Sequence, residues 1–239
     1  MKPLILAFLL GLAATPAVAV CPPAPAAARA PDAAQPRLSA ALRASGRLSV
    51  LVLGSASTVA PDGYAAALGA SLRAARPDLR LRLVVQGARG QDAATALAVL
   101  RKSMLSKAPA GGGYNAVLWQ VGTVDAIRGA RPDDLADTLE AGADLVRAHG
   151  AALVLIDPQF SRFLRANIDL EPYETVLRAV ALAPDAMLFP RYATMEAWVE
   201  SDGLDPERAP PGAAPAVAAR LAACLGQALA RFLLAAGPH

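Results

Sequence analysis

Two histidines, His149 and His239, are the only imidazoles in the 239 residues. A mechanism that needs an imidazole as base or metal ligand must use one of them. Hydroxyls are better supplied. Ser55 and Ser57 flank Ala56 directly after an apolar run, and either could attack a carbonyl if a base stood beside it. Glu200, Asp202 and Asp205 group three carboxylates, an oxygen set that would suit Ca or Mg. A solvated acidic loop is the commoner use of such a group, so no metal is expected. Arg89, Arg128, Arg162 and Arg165 could rim a pocket and read an anion, although in an Arg-rich chain ordinary surface arginines are the default. Cys21 and Cys224 stand near the two ends of the chain. In an oxidising compartment they can pair and tie an N-terminal arm to the last helix.

The composition sets what can hold these groups. Apolar residues make up 55% and charged residues 18%, which excludes wholesale disorder, and the length suits one well-buried domain. Net charge is +3 from 23 basic and 20 acidic residues with no basic block, so a nucleic acid is not an expected partner. Gly111-Gly112-Gly113 lacks the lysine and spacing of a phosphate loop and reads as a connection. At the N-terminus, Lys2, an apolar run over 4–14 and Ala17-Val18-Ala19 form the pattern of a cleavable export signal. The expected organisation is a signal peptide over 1–20, a Pro/Ala-rich linker or arm over 21–37 and a single domain over 38–239. Val20 occupies the place where a lipid-modified Cys21 would need a small residue. A periplasmic or secreted protein is expected, with no integral membrane segment once the signal is cleaved.

Within the domain, β-branched and leucine-rich runs predict strands at 48–53, 79–85, 116–121, 152–156 and 187–189. Helical spacing predicts helices at 38–47, 64–75, 93–105, 133–149, 173–182, 195–200 and 214–234. Strands alternating with helices predict right-handed crossovers and a three-layer α/β/α sandwich, with a flavodoxin-like parallel sheet of about five strands. Ligands in such folds sit at the carboxyl ends of the strands. The informative segments are therefore 54–58, 86–92, 120–128, 157–165 and the loop near Asp202. His149 precedes the fourth strand, at the opposite edge of the sheet, and His239 is the last residue. Trp119 reads as core.

Those segments resemble the SGNH/GDSL hydrolase family over nearly the whole domain, in order. Val-Leu-Gly-Ser-Ala-Ser-Thr at 52–58 is similar to its strand-Gly-Asp-Ser-x-Thr block, and Gln-Gly-Ala-Arg-Gly-Gln-Asp at 86–92 to its oxyanion-glycine block. Trp-Gln-Val-Gly-Thr-Val-Asp at 119–125 is similar to the Gly-x-Asn-Asp block, and Ser-Asp-Gly-Leu-Asp at 201–205 to the Asp-x-x-His block. Asp157-Pro158-Gln159-Phe160 resembles the loop that walls the family's pocket. The resemblance implies acyl-ester hydrolysis by a Ser-His-Asp triad with an oxyanion hole. Position by position, the nucleophile falls on Ala56, the oxyanion glycine on Gly90, the asparagine on Val124, the aspartate on Asp202 and the histidine on Asp205. Gly90 and Asp202 keep the family's residue; Ala56, Val124 and Asp205 do not. Losing one oxyanion donor alone costs about 3 kcal/mol of transition-state stabilisation.

The expectation is a catalytically silent relative whose pocket binds a small acyl- or glycan-type ligand near Gly90, Val124, Arg89 and Asp125, without a cofactor. The alternatives are an ester hydrolase using Ser55 or Ser57 in an unfamiliar arrangement, and a structural subunit of an envelope assembly.

Overall fold

A computed structural model describes residues 20–31, 35–44, 46–106 and 113–236. The signal segment up to residue 19, Gly111, Gly112 and His239 lie outside the described residues. The strands are β1 (Arg47–Gly54), β2 (Arg80–Gly87), β3 (Ala116–Gln120), β4 (Ala152–Ile156) and β5 (Ala186–Phe189). They form one sheet in the order β2-β1-β3-β4-β5, every pair parallel. The central strands β3 and β4 are buried at every position, as strands covered on both faces must be. β2 is an edge strand with no fully buried position; Arg80 is exposed, and Arg82 is half-buried, donating to Ser49 Oγ at 3.1 Å.

The helices are α1 (Pro36–Ala44), α2 (Ala56–Val59), α3 (Tyr64–Ala75), α4 (Ala93–Leu105), α5 (Thr123–Ile127), α6 (Pro132–Ala148), α7 (Arg162–Asn167), α8 (Glu171–Val180), α9 (Arg191–Ser201) and α10 (Ala214–Ala235). α1, α3, α9 and α10 close a core on one face of the sheet, and α4, α6 and α8 close a second on the other. This is the three-layer sandwich that the alternation predicts. The three short helices α2, α5 and α7 were not expected, and each lies just beyond a strand end. The helix expected at 195–200 begins earlier, at Arg191.

Two glycines let the layers approach. A Cβ on Gly142 of α6 would stand 2.3 Å from Cζ3 of the fully buried Trp119. A Cβ on Gly226 of α10 would stand 2.6 Å from both the Leu68 nitrogen and the Tyr64 oxygen of α3, backbone atoms with no rotamer to yield. Gly226→Ala is therefore expected to force α10 off α3. The expected loss is about 1–3 kcal/mol, read as a lower urea midpoint with the helical circular dichroism retained.

The N-terminal arm lies along α10. Cys21 is disulfide-bonded to Cys224 with a Cα–Cα distance of 5.3 Å. Beyond it a helical turn at Ala26–Ala28 follows, Ala24 and Ala28 are buried, and Trp198 Nε1 donates to the Pro23 oxygen at 3.1 Å. α10 is long and apolar enough to cross a membrane by composition, but half of that stretch is buried inside the fold, as in a core helix.

Candidate functional site

Neither the end of β1 nor the end of β2 tolerates a side chain. A Cβ on Gly54 would lie 2.1 Å from Thr58 Oγ1, and one on Gly87 would lie 2.0 Å from the Gly54 oxygen. The chain then turns through Ser55 into α2. Gln120, the last residue of β3, gathers this turn. Its Oε1 accepts from the Ser55 nitrogen and Oγ at 3.2 Å each and from Thr58 Oγ1 at 3.1 Å. Thr58 spends its proton there, so the Tyr64 hydroxyl 2.8 Å away donates to it. Burial pushes the Tyr64 phenol up, which keeps it a donor. Ala56 opens α2 with a methyl group at the nucleophile position. The hydroxyl of Ser57 accepts from Arg191 Nη2 at 3.3 Å. Among the described residues neither serine hydroxyl has a carboxylate or imidazole as a hydrogen-bond partner.

The expected oxyanion side is tied down differently. Gly90 has φ +73°, a left-handed turn that suits glycine. Asp92 caps α4 through the Thr95 nitrogen at 2.9 Å and pairs with Arg128. Asp125, expected among the ligand-binding residues, is instead a buried tie. Its two oxygens accept from the Ala93 nitrogen at 2.9 Å and the Gly122 nitrogen at 3.1 Å, holding α4 to the turn that opens α5. Val124 is half-buried on α5, and Arg89 is exposed.

At the base position, Asp205 is buried and pairs with Arg162 Nε at 2.7 Å. It also accepts from the nitrogens of Glu207 at 3.0 Å and Arg208 at 3.3 Å. Burial works to raise this carboxyl, but the Arg162 hydrogen bond and the two backbone groups outweigh it and hold it below the usual carboxylate range. A carboxylate so held is a poor proton acceptor. Asp202 is exposed at the end of α9. Arg165 pairs with Glu196 at 3.1 Å and Glu200 at 2.6 Å. The arginines weighed as an anion-reading rim are engaged elsewhere: Arg128, Arg162 and Arg165 each already hold a carboxylate. His149 caps the far end of α6, exposed, with Nδ1 2.8 Å from the Leu145 oxygen.

The cation that does reach the interior is Arg191, which the sequence reading missed. It lies two residues past the end of β5, a strand end like the others, and that position was the available signal. Its side chain is 3% exposed. Nη2 donates to Ser57 Oγ and Gln159 Oε1 at 3.3 Å each, and the guanidinium carbon lies 5.4 Å from the centroid of the Tyr64 ring. Nε and Nη1 have no hydrogen-bond partner among the described residues. The nearby Asp157, at the end of β4, accepts from the Tyr192 nitrogen at 2.7 Å, and burial pushes its carboxyl up to about 7. Arg191 lines a cavity of about 320 Å³ between the strand ends and α9 and α10. Ser57, Tyr64 and Gln159 surround the guanidinium, Asp205 and Glu207 lie at the loop side, and Phe160, Met195, Leu221 and Leu225 are among its apolar walls.

Known structures share this fold. The LAE5 α/β hydrolase enzyme, from the metagenome of Lake Arreo in Spain, is similar in structure at 20% identity with a TM-score of 0.59, covering 76% of this chain and 96% of that one. A catalytic mutant of Axe2, an acetylxylan esterase from Geobacillus stearothermophilus, matches at 18% identity and TM-score 0.57 over 73% of this chain and 91% of the other. AlinE4, an SGNH-hydrolase family esterase, matches at 17% identity and TM-score 0.53 over 68% and 85%. No curated protein sequence matches the chain. The sequence pattern of one family, described as non-GDSL lipase-like, matches residues 21–237. With that match over nearly its whole length, the chain belongs to the non-GDSL lipase-like family.

Proposed function

We propose that this chain is an exported SGNH-hydrolase-like protein that does not hydrolyse esters and keeps a pocket at the strand ends for binding a small ligand. The observation that carries this reading is the state of the two serines. Ser55 is spent on an amide oxygen, and Ser57 faces a guanidinium, which has no lone pair to take a proton. A serine hydroxyl without a base is a weak nucleophile. Asp205, where the resemblance puts the base, is occupied by Arg162. The Cys21–Cys224 disulfide supports export, since such bonds persist in oxidising compartments.

The test is turnover of p-nitrophenyl acetate and butyrate by the wild type and by a Ser55→Ala, Ser57→Ala double variant. The two are expected to give the same background rate, and a fluorophosphonate probe is expected to leave the wild-type mass unchanged. Wild-type turnover that Ser57→Ala or Ser55→Ala abolishes would overturn the reading.

A further inference from the structure

A buried guanidinium without an anionic partner is an expensive arrangement. Taking a charge out of water costs several kcal/mol unless a counter-charge and hydrogen bonds replace the solvent, and arginine does not shed its proton to avoid the cost. Arg191 is fully inside, yet among the described residues it forms no ion pair, and the N–H groups of Nε and Nη1 have no acceptor. Asp157, the nearest candidate counter-charge, is tied to the Tyr192 nitrogen rather than to the guanidinium. Every other arginine close to the strand ends that is held by a carboxylate lies nearer the surface. The cavity beside Arg191 therefore has the chemistry of an anion site.

The rest of the cavity restricts the anion. Phe160, Met195, Val199, Leu221 and Leu225 make one side of it apolar, so the ligand needs a hydrocarbon part. An engineered apolar cavity of about 150 Å³ admits benzene. At about 320 Å³ this one has room for a chain or ring system larger than a single phenyl. Arg191 brings one positive charge and the Glu207 carboxylate at the loop side disfavours additional negative charge, while Asp205 is already balanced by Arg162. A monoanion fits this balance and a phosphate dianion does not. We infer that the cavity binds an apolar monocarboxylate, its carboxylate beside the uncompensated Arg191 guanidinium and on the Ser57 hydroxyl, its hydrocarbon part between α9 and α10. This deepens the proposed ligand-binding reading and rests on it. It also gives Ser57 a role as a hydrogen-bonding group rather than a nucleophile.

The experiment is calorimetric titration of the disulfide-intact protein with octanoate, octan-1-ol and octyl phosphate. Octanoate is expected to bind saturably and more tightly than the other two. Arg191→Met keeps an apolar stem without the charge, and is expected to weaken octanoate by about 10- to 100-fold, the size of a lost charge-assisted hydrogen bond, and to leave octanol unchanged. Arg191→Lys is expected to recover part of the loss. Ala222→Phe, which fills the apolar end, is expected to weaken octanoate and octanol alike. If Arg191→Met does not fold, the wild-type ranking and Ala222→Phe decide. Octanoate binding no tighter than octanol or octyl phosphate, insensitive to Ala222→Phe, or absent, overturns the inference. None of these results concerns ester turnover, so the inference can fail while the non-hydrolytic reading stands, and turnover lost with Ser57→Ala would sink the reading separately.

Discussion

Removing the Cys21–Cys224 bridge, by Cys21→Ser with Cys224→Ala, is expected to lower the unfolding free energy by up to about 5 kcal/mol. The cysteines are 203 positions apart, so the bond closes almost the whole domain into one loop. The chain entropy denied to the unfolded state grows with loop length, and the figure is the value that relation gives for a loop of this size. Alanine is the right replacement at 224 because Cys224 is 1% exposed among apolar neighbours, where a hydroxyl would be buried without a partner. The arm keeps further contacts of its own through Ala24, Ala28 and the Trp198–Pro23 hydrogen bond. Urea unfolding with and without dithiothreitol separates the contributions. A loss below about 1 kcal/mol on reduction would mean that packing, and not the covalent bond, fastens the arm.

The second large effect is on pH dependence, through Asp157. Its carboxyl is pushed up from 3.8 to about 7, chiefly by burial. Below about pH 4 it is protonated in folded and unfolded chains alike. Between about 4 and 7 the unfolded chain has released the proton and the folded chain still holds it. The folded state then binds more protons, so stability falls as pH rises through this window, and the loss is complete above about 7. The full amplitude is roughly 4 kcal/mol. Asn at 157 keeps an oxygen for the Tyr192 nitrogen and does not titrate. Asp157→Asn is therefore expected to gain on the wild type by roughly 4 kcal/mol between pH 4 and pH 8 in denaturant titrations. Parallel stability curves for the two proteins over that range would disprove the assignment. Asp205 works in the opposite sense. Its lowered carboxyl contributes stability above the usual carboxylate range that is lost in acid, so the Asn variant is compared with the wild type at each pH.

The centre of the sheet was legible because β3 and β4 are buried on both faces and read as apolar runs. β4 occurs at 152–156 as its pattern predicts, and α3 and α4 occupy 64–75 and 93–105. The ends of elements were less legible where hydrogen bonding from distant segments decides them. α2 and α5 are too short for a helical period to register, and they exist because Gln120 and Asp125 collect the donors of their turns. The positions that the resemblance assigns were readable one by one, but their neighbours were not. Spacing says nothing of Asp205 meeting Arg162 across 43 positions, nor of Ser57 meeting Arg191 across 134. Arg191 was hidden for a further reason. An arginine after Phe-Pro at a helix start has the composition of a surface residue, and only the closure of α9 and α10 over the strand ends puts it inside.

The close seat of α10 on α3, where Gly226 leaves no room for a side chain, also orders events in time. α3 follows the first strand and α10 ends the domain, so their contact is among the most non-local in the fold. Contacts of this kind close slowly, because the chain between them must first surrender its freedom. Until they close, the α10 segment, with an 18-residue stretch of mean hydropathy 1.5, lacks its native cover. The segment that completes the native core is thus also the segment through which a half-folded chain would associate with others or bind a chaperone.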